Sequence, residues 1–297
     1  MSIGIALSGG GAKGAAHIGV LQALKEEGIQ VDYISGASSG SIVATLFACG
    51  YSPYTMLYMF NNYCKYVTDY DRLLPFKVIS VLFTGKINIK YIVKGRNLEG
   101  LIRRCCAEKN IRSIQEITTP LAISTVDINT GEIIYFLNKK VNEEKEKLSR
   151  NRLYDDIPSY YYEGDIASIV RASSSFPVAF EPKCINGKML IDGGARMNCP
   201  VEILKKMGAD KVIAVSFDDK LKQECGYPNI ISAATRSFDI MGHQVNFPEL
   251  EKADYVIRPK IKNISLLELN KSSYCANKGY IAVKDNIDRI KEALDIK

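Results

Sequence analysis

The chain has 297 residues, with 39 Lys and Arg against 33 Asp and Glu, and a formal net charge of +6. Hydrophobic residues make up 46% and charged residues 24%, a globular composition that excludes wholesale disorder. No repeat is sustained along the chain, and no apolar run approaches the ~18 residues of a membrane span.

The cysteines and the N-terminus indicate the compartment. The eight cysteines include no C-x-x-C pair, and the adjacent Cys105 and Cys106 do not fit the spacing of a zinc finger. Scattered cysteines in a chain of this length favour reduced thiols. Residues 1–7 lack the basic start and cleavage site of a secretory signal. We therefore expect a cytoplasmic protein without a leader or a membrane-spanning segment.

The first 50 residues alternate between the patterns of strands and helices. An apolar run at 3–7 predicts a strand, and apolar side chains at helical spacing predict a helix that ends at Gly28. Residues 29–35 predict a second strand, and a second helix begins near Ser39 and ends at Gly50. This order implies two parallel strands joined by a right-handed crossover.

The pattern changes after residue 50. Residues 51–94 are rich in aromatic and aliphatic side chains with lysines between them, and predict helices that cap the end of the sheet. This cap could face a lipid surface with anionic headgroups, or pack over the sheet in the ordinary way. The mixed-charge run at 139–152 predicts a solvated loop or an exposed helix. The other predicted elements are a helix over 98–108, a hairpin of 121–126 with 133–136, strands at 189–191, 212–215 and 255–257, and a last helix with an apolar stripe at Val283, Ile287, Ile290 and Leu294.

A glycine-rich motif follows the first strand. Residues 9–14 match G-x-G-x-x-G, with Gly9, Gly11 and Gly14 at the glycine positions. The backbone N–H groups of such a turn, backed by a helix N-terminus, bind negative charge. That charge is either the pyrophosphate of a nucleotide, with Asp32 near the position of a ribose-binding acid, or an oxyanion formed during acyl transfer.

A second motif lies between the second strand and the second helix. Residues 36–40 read Gly-Ala-Ser-Ser-Gly, which is G-x-S-x-G in the context that a nucleophile elbow needs. Gly36 and Gly40 let neighbouring backbone pass close to a tight turn that exposes Ser38. The N–H of Ser39 is then placed to help hold an oxyanion. The alternative is that Ser38 only caps the helix.

A nucleophilic serine needs a base, and the chain has only two histidines. His17 lies in the first turns of the helix after the glycine motif, where it could equally be a packed, hydrogen-bonded side chain. His243 comes late in the chain, as in a hydrolase triad, but no neighbouring motif supports that role.

An acidic candidate follows the predicted strand at 189–191. Asp192 is followed by Gly193 and Gly194, and Asp-Gly is a common turn dipeptide. However, the carboxyl end of a strand is also where α/β sheets gather active-site groups. A carboxylate at Asp192 within reach of Ser38 could orient the hydroxyl and accept its proton.

The three motifs in this order resemble the patatin-like phospholipases. Residues 9–21 are similar to the oxyanion loop and first helix of that family, residues 36–40 to its serine elbow, and residues 192–194 to its Asp-Gly-Gly motif. Shorter matches at 127–131, 175–177 and 198–201 support the resemblance, which spans about residues 3–259.

The resemblance implies a three-layer α/β/α fold with a mostly parallel central sheet and a helical cap. It implies a single domain over 1–297, with a core of about 3–260, a cap of about 51–110 and a C-terminal helical segment of about 261–297. The implied activity is a serine hydrolase of phospholipid or other lipid acyl esters, with no metal, no cofactor and no catalytic histidine. The implied partner is a lipid or membrane surface, contacted peripherally, and not a nucleic acid.

The family pattern also assigns roles to residues of this chain. Ser38 would attack the acyl carbonyl and Asp192 would accept its proton. The N–H groups of Gly9, Gly10 and Gly11, together with Ser39, would hold the oxyanion. Lys13 takes a position that is basic in the family, where it supports the loop, meets a phosphate or faces solvent.

Three alternatives to a hydrolase are compatible with the sequence. An acyltransferase of related fold would want a histidine after the serine. A nucleotide-binding protein would use Gly9, Gly11, Gly14 and Asp32. An inactive lipid-binding member of the family would not need the intact Ser38 and Asp192.

Overall fold

The computed structural model describes residues 1–63, 67, 69, 92–142, 158–177, 179–217, 230–262, 264 and 268–296. The strands in this part of the chain are β1 Ile3–Leu7, β2 Tyr33–Gly36, β3 Leu121–Asp127, β4 Ile133–Leu137, β5 Ser159–Tyr161, β6 Lys183–Ile185, β7 Lys188–Asp192, β8 Lys211–Val215 and β9 Tyr255–Ile257. The helices are α1 Ala15–Glu26, α2 Ser39–Ala48, α3 Pro53–Tyr63, α4 Arg96–Glu108, α5 Ile166–Ser173, α6 Glu202–Met207, α7 Ile230–Leu250, α8 Ser272–Lys284 and α9 Ile287–Ala293.

The strands form one mixed, mostly parallel sheet. Seven of them lie in the order β5-β4-β3-β2-β1-β8-β9, while β7 pairs with β3 and carries β6 on its other edge. All pairings from β3 through β2, β1 and β8 to β9 are parallel. The β3–β4 hairpin is antiparallel, as predicted from the Asn-Thr-Gly turn between the two strands.

The middle of the sheet is covered on both faces. Ile5 and Leu7 of β1 pack in one large core with Ile18 of α1, whereas Ala6 faces the opposite core with Leu204 of α6. Strands buried on both sides read as continuous apolar runs, which is why β1 shows no polar alternation. This arrangement confirms the three-layer α/β/α fold.

The helices α1 and α8 cross in very close contact. A Cβ atom added at Gly19 would lie 1.8 Å from the Ala276 carbonyl oxygen, and one added at Gly279 would lie 1.9 Å from the Ala16 carbonyl oxygen. The two glycines therefore let the backbones touch, and α8 forms an outer layer over α1. Within the described ranges, no helix combines the length and apolar character needed to cross a bilayer.

Two predicted boundaries were wrong. The second strand begins at Tyr33 and not at residue 29, because residues 29–32 connect it to α1. There, the Ile29 N–H donates to the Leu24 carbonyl, and the Asp32 carboxylate accepts from the Ile3 N–H at 2.8 Å. The last apolar stripe belongs to two helices, α8 and α9, although Val283, Ile290 and Leu294 are buried as expected.

The predicted cap is described only in part. Its first helix, α3, packs against α1, α2 and α8. Most of residues 64–91, and residues 143–157 of the mixed-charge run, lie outside the described residues.

Candidate active site

The candidate serine and aspartate meet at one edge of β3. Strand β2 pairs in parallel with the first half of this edge, with Gly36 opposite Ile123. Strand β7 pairs antiparallel with the second half, with Asp192 opposite Thr125. The two strands run toward each other, so their carboxyl ends meet, and Ser38 and Asp192 emerge at the same place.

Ser38 has the backbone of a nucleophile elbow. Its φ of 51° and ψ of −125° lie outside the normal regions for a non-glycine residue, at the turn between β2 and α2. The turn is tight because a Cβ at Gly40 would lie 2.2 Å from the Leu7 carbonyl oxygen, and one at Gly36 would lie 2.5 Å from the Gly40 backbone. These contacts explain the glycines of the motif, and the Ser38 side chain makes no capping hydrogen bond to α2.

Asp192 is buried and has one oxygen free. The Gly194 N–H donates to its Oδ1 at 2.8 Å, whereas Oδ2 has no hydrogen-bond partner of normal geometry among the described residues. Burial raises the pKa of Asp192 to about 6, against the lowering effect of contacts with the Ser38 hydroxyl and the Gly194 N–H. The carboxyl therefore faces the serine with an acceptor that nothing else occupies.

A serine that the motifs did not include holds the elbow from behind. The buried Ser173 accepts a hydrogen bond from the Ser38 N–H at 3.0 Å and donates to the Ser124 carbonyl of β3 at 2.8 Å. Two residues on, the Ser175 carbonyl accepts from the Asp192 N–H at 3.1 Å. The run of serines that ends α5 thus touches both members of the candidate pair. In the sequence, only the Ser-Phe-Pro match at 175–177 pointed to this run of serines.

A buried arginine fixes the end of this serine run. Arg171 donates to the Ser175 hydroxyl and to the carbonyls of Lys94 and Glu181. Desolvation lowers the pKa of Arg171, but the guanidinium stays charged at any physiological pH. Its side chain takes the space beside Gly95, where a Cβ would lie 2.0 Å from Nε.

Not all of the predicted oxyanion donors are free of other hydrogen bonds. The Gly9 N–H is already engaged, because it donates to Asn198 Oδ1 at 2.9 Å and also to the Asn198 carbonyl at 3.2 Å. This corrects the predicted role of Gly9 as a donor. In the described part of the chain, the N–H groups of Gly10, Gly11 and Ser39 have no acceptor.

The other motif glycines bring side chains and backbone together. A Cβ at Gly14 would lie 2.5 Å from the Ser39 Cβ, and one at Gly10 would lie 2.5 Å from the Phe217 ring. In the aspartate motif, a Cβ at Gly193 would lie 2.4 Å from the Ser124 hydroxyl, and one at Gly194 would lie 3.0 Å from Asn198 Oδ1. Asn198 therefore touches both motifs. Lys13 is half-buried and makes no ion pair with the described residues.

Neither histidine is hydrogen-bonded to Ser38 among the described residues. The buried His17 donates through Nε2 to the Ser8 carbonyl at 2.7 Å, and its ring lies 4.7 Å from that of Phe217. Burial lowers the pKa of His17 to about 4, so the imidazole is neutral and fills the packed role. His243 lies on α7, and within the described ranges it makes no hydrogen bond to Ser38.

Asp32 is not in the site. Its bond to the Ile3 N–H places it where β1 begins, whereas the glycine loop follows the end of β1. The predicted pairing of Asp32 with a nucleotide on the glycine loop is therefore wrong. Among the described residues, no group of three His, Cys, Asp or Glu side chains is placed to hold a metal ion.

The chain is similar to known proteins along most of its length. The chain is 26% identical to the lysophospholipase nte1 of Aspergillus fumigatus, over 98% of this chain and 18% of that protein, and 27% identical to the lysophospholipase NTE1 of Saccharomyces cerevisiae, over 91% and 15%. It spans less than a fifth of the length of these relatives.

Among solved structures, VipD from Legionella pneumophila aligns with a TM-score of 0.47 and 15% identity, over 97% of this chain and 67% of VipD. The model of the patatin-like phospholipase family matches residues 5–205. The chain therefore belongs to the patatin-like phospholipases, a family of carboxylic ester hydrolases.

Proposed function

We propose that this protein hydrolyses lipid acyl esters, with Ser38 as the nucleophile and Asp192 as the proton acceptor. The observation that carries the proposal is the pairing of a strained, half-buried Ser38 with the unoccupied Oδ2 of a buried Asp192. Backbone strain and an unsatisfied buried oxygen both cost stability, and such features persist at functional sites.

The reaction would proceed through an acyl-enzyme. Ser38 Oγ attacks the ester carbonyl carbon as its proton passes to Asp192, and the oxyanion receives hydrogen bonds from the N–H groups of Gly10, Gly11 and Ser39. Collapse of the intermediate expels the alcohol, which takes the proton back from Asp192. Water then attacks the acyl-enzyme as its proton passes to Asp192. The bond between the acyl carbon and Ser38 Oγ breaks, Asp192 returns the proton to Oγ, and the free acid leaves.

The basicity of Asp192 suits this role. A carboxyl with a pKa of about 6 is ionised at neutral pH, and it is a stronger base than an exposed aspartate. A base needs no help from histidine if it can reach the hydroxyl directly. Neither histidine is placed to assist Ser38, which also weighs against the acyltransferase alternative.

The names of the relatives support a lysophospholipid or phospholipid substrate. We propose that the enzyme takes this substrate from a membrane surface by peripheral contact, in the cytoplasm, and without a cofactor or a nucleic acid. The nucleotide-binding alternative lacks its acidic partner, because Asp32 is bonded to the Ile3 N–H.

The test is covalent labelling followed by product analysis. A fluorophosphonate probe should modify Ser38 in the wild-type protein, with no labelling of Ser38→Ala and sharply reduced labelling of Asp192→Asn. The wild type should also release fatty acid from lysophosphatidylcholine, and both variants should lose this activity. Absence of labelling of the wild type, with or without anionic vesicles, would show that the proposed dyad is wrong.

A further inference from the structure

Helix α3 has an unusual outer face. Its sequence contains no charged residue, although it lies on the surface of the helical layer. Tyr54 is 82% exposed and Tyr58, one turn later, is 56% exposed, while Met56 on the other side is fully buried. Surface helices of soluble proteins normally turn charged side chains to the solvent. Tyrosines in their place indicate a contact that is partly apolar.

The start of α8 extends this face. The Ser273 hydroxyl donates to Asn61 Oδ1 at 3.2 Å, which joins α8 to the last turns of α3. Beside this bond, Tyr274 is 40% exposed, and Lys278 Nζ lies 5.6 Å from the centre of its ring. We call the following set the tyrosine surface: Tyr54, Tyr58, Tyr63, Lys271, Tyr274 and Lys278.

The two helices that carry the tyrosine surface pack close to the glycine loop. Phe60 of α3 and Phe217 pack with Ala15, Ala16 and Cys275 in one small cluster. The Phe217 ring in turn takes the space beside Gly10 of the glycine loop. Helix α8 also contacts the Gly11–Gly14 turn, so a molecule bound on α3 and α8 would lie on the helices that pack against the glycine loop.

The charge of this region favours an anionic partner. The salt bridges among the described residues involve neither Lys271 and Lys278 of the tyrosine surface nor Lys13 of the nearby glycine loop. The tyrosine surface itself contains no acidic residue, and the nearest acid in sequence is Glu268. Ammonium groups next to tyrosine rings are suited to phosphate headgroups at a membrane interface, where tyrosine side chains also settle.

We propose that the protein binds, through the tyrosine surface, to a bilayer that contains anionic phospholipids. The phenol rings would enter the headgroup layer, and the lysines would meet the phosphates. This orientation would hold the glycine loop and Ser38 at the membrane. The inference rests on the proposed function for its choice of a lipid partner, but binding to vesicles does not require catalysis.

The experiment measures the binding of the full chain to vesicles by sedimentation. It uses Ser38→Ala as the parent, so that hydrolysis does not change the lipid. We expect binding to vesicles of equal parts phosphatidylcholine and phosphatidylglycerol, weaker binding to phosphatidylcholine alone, and loss of binding at high salt. Both Tyr54→Ser/Tyr58→Ser and Lys271→Glu/Lys278→Glu should weaken binding roughly tenfold or more.

Two matched controls lie outside the tyrosine surface. Lys25→Glu reverses an exposed charge near the opposite end of α1, and Ile281→Ser removes an exposed apolar side chain two turns farther along α8. Both should bind as the parent does. Unchanged thermal unfolding would establish that the surface variants are folded.

The outcomes separate this inference from the proposed function. If the tyrosine and lysine variants bind vesicles as tightly as the parent, or if the parent does not bind at all, the tyrosine surface is not a membrane-binding face. With Ser38 intact, hydrolysis of a soluble short-chain aryl ester should be the same in the surface variants as in the wild type. If the wild type does not hydrolyse this ester, the proposed function is contradicted, whether or not the protein binds vesicles.

Discussion

Asn198 Oδ1 accepts a hydrogen bond from the Gly9 N–H at 2.9 Å, and this bond joins the glycine loop to the segment that follows Asp192. The same oxygen lies next to Gly194, so one side chain links the glycine loop that holds the proposed oxyanion donors to the segment that holds the proposed base. Among the described residues Asn198 makes no hydrogen bond to Ser38, and we propose that it is a positioning residue.

We expect Asn198→Ala to lower kcat about 10- to 100-fold, as for the loss of a buried hydrogen bond that holds a catalytic loop, with a smaller change in KM. Steady-state kinetics with a soluble ester would measure the changes in kcat and KM separately. Asn129→Ala in the β3–β4 turn is the control and should leave both unchanged. If Gly9 were itself an oxyanion donor, release of its N–H would leave kcat unchanged or raise it.

Ser173 is predicted to support the strained backbone of Ser38. Its replacement by alanine removes the acceptor of the Ser38 N–H and the donor to the Ser124 carbonyl, so the free energy of unfolding should fall by about 1–3 kcal/mol. Fluorophosphonate labelling should slow as well, because the elbow would relax. Urea denaturation and labelling rates would test both effects.

The neighbouring serine provides the comparison for Ser173. The Ser174 hydroxyl reaches the Ser38 carbonyl only at 3.5 Å, so Ser174→Ala should cost less. Ser173→Thr keeps a hydroxyl and should recover part of the labelling rate. Equal effects of the two alanine substitutions would contradict a specific role for Ser173.

The pKa of Asp192 predicts opposite trends for activity and stability. Since burial raises this pKa from 3.8 to about 6, the folded protein keeps a proton that the unfolded chain has lost between these values. The contribution of Asp192 to the free energy of unfolding therefore falls as the pH rises from 3.8 to about 6. The proposed base works only when it is ionised, so kcat/KM should rise with pH to a plateau, with a midpoint near 6.

The variant Asp192→Asn separates the two trends. It should abolish activity and raise the free energy of unfolding by up to about 3 kcal/mol near pH 8, because it removes the cost of a buried charge. Below about pH 4 the gain should disappear, because the wild-type carboxyl is then neutral in both states. A gain that does not depend on pH would show that the carboxyl is not the source.

The close approach of α2 to β1 makes Gly40 sensitive to substitution. A methyl group at this position would lie 2.2 Å from the Leu7 carbonyl oxygen, whereas one at Gly100, inside α4, would meet no atom within 4 Å. Gly40→Ala should therefore unfold or strongly destabilise the protein, and Gly100→Ala should stabilise it by up to about 1 kcal/mol through helix propensity. Thermal unfolding of the two variants would reveal this difference.

Local features of the fold could be predicted from the sequence. The apolar runs of β1 and β8, the glycine turns and the spacing in α1 and α2 depend on residues close together in the chain, so hydrophobic periodicity and turn chemistry are enough. The sequence predicts a strand at 29–32 because Ile29 is buried and Val31 is partly buried, but this segment lies outside the strand pairing of β2. Periodicity reports burial, whereas strand hydrogen bonds depend on a distant partner.

The sequence by itself determined the family motifs, the strand–turn–helix context of Ser38 and the position of Asp192 after a strand. Only the tertiary structure decided that these two residues meet, because the antiparallel β7 runs toward β2 along one edge of β3. It also decided that Gly9 is bonded to Asn198, and that Ser173 holds the elbow. The physical reason is that a hydrogen-bond partner or a desolvated carboxyl is created when distant segments pack together, and no local pattern of residues encodes that contact.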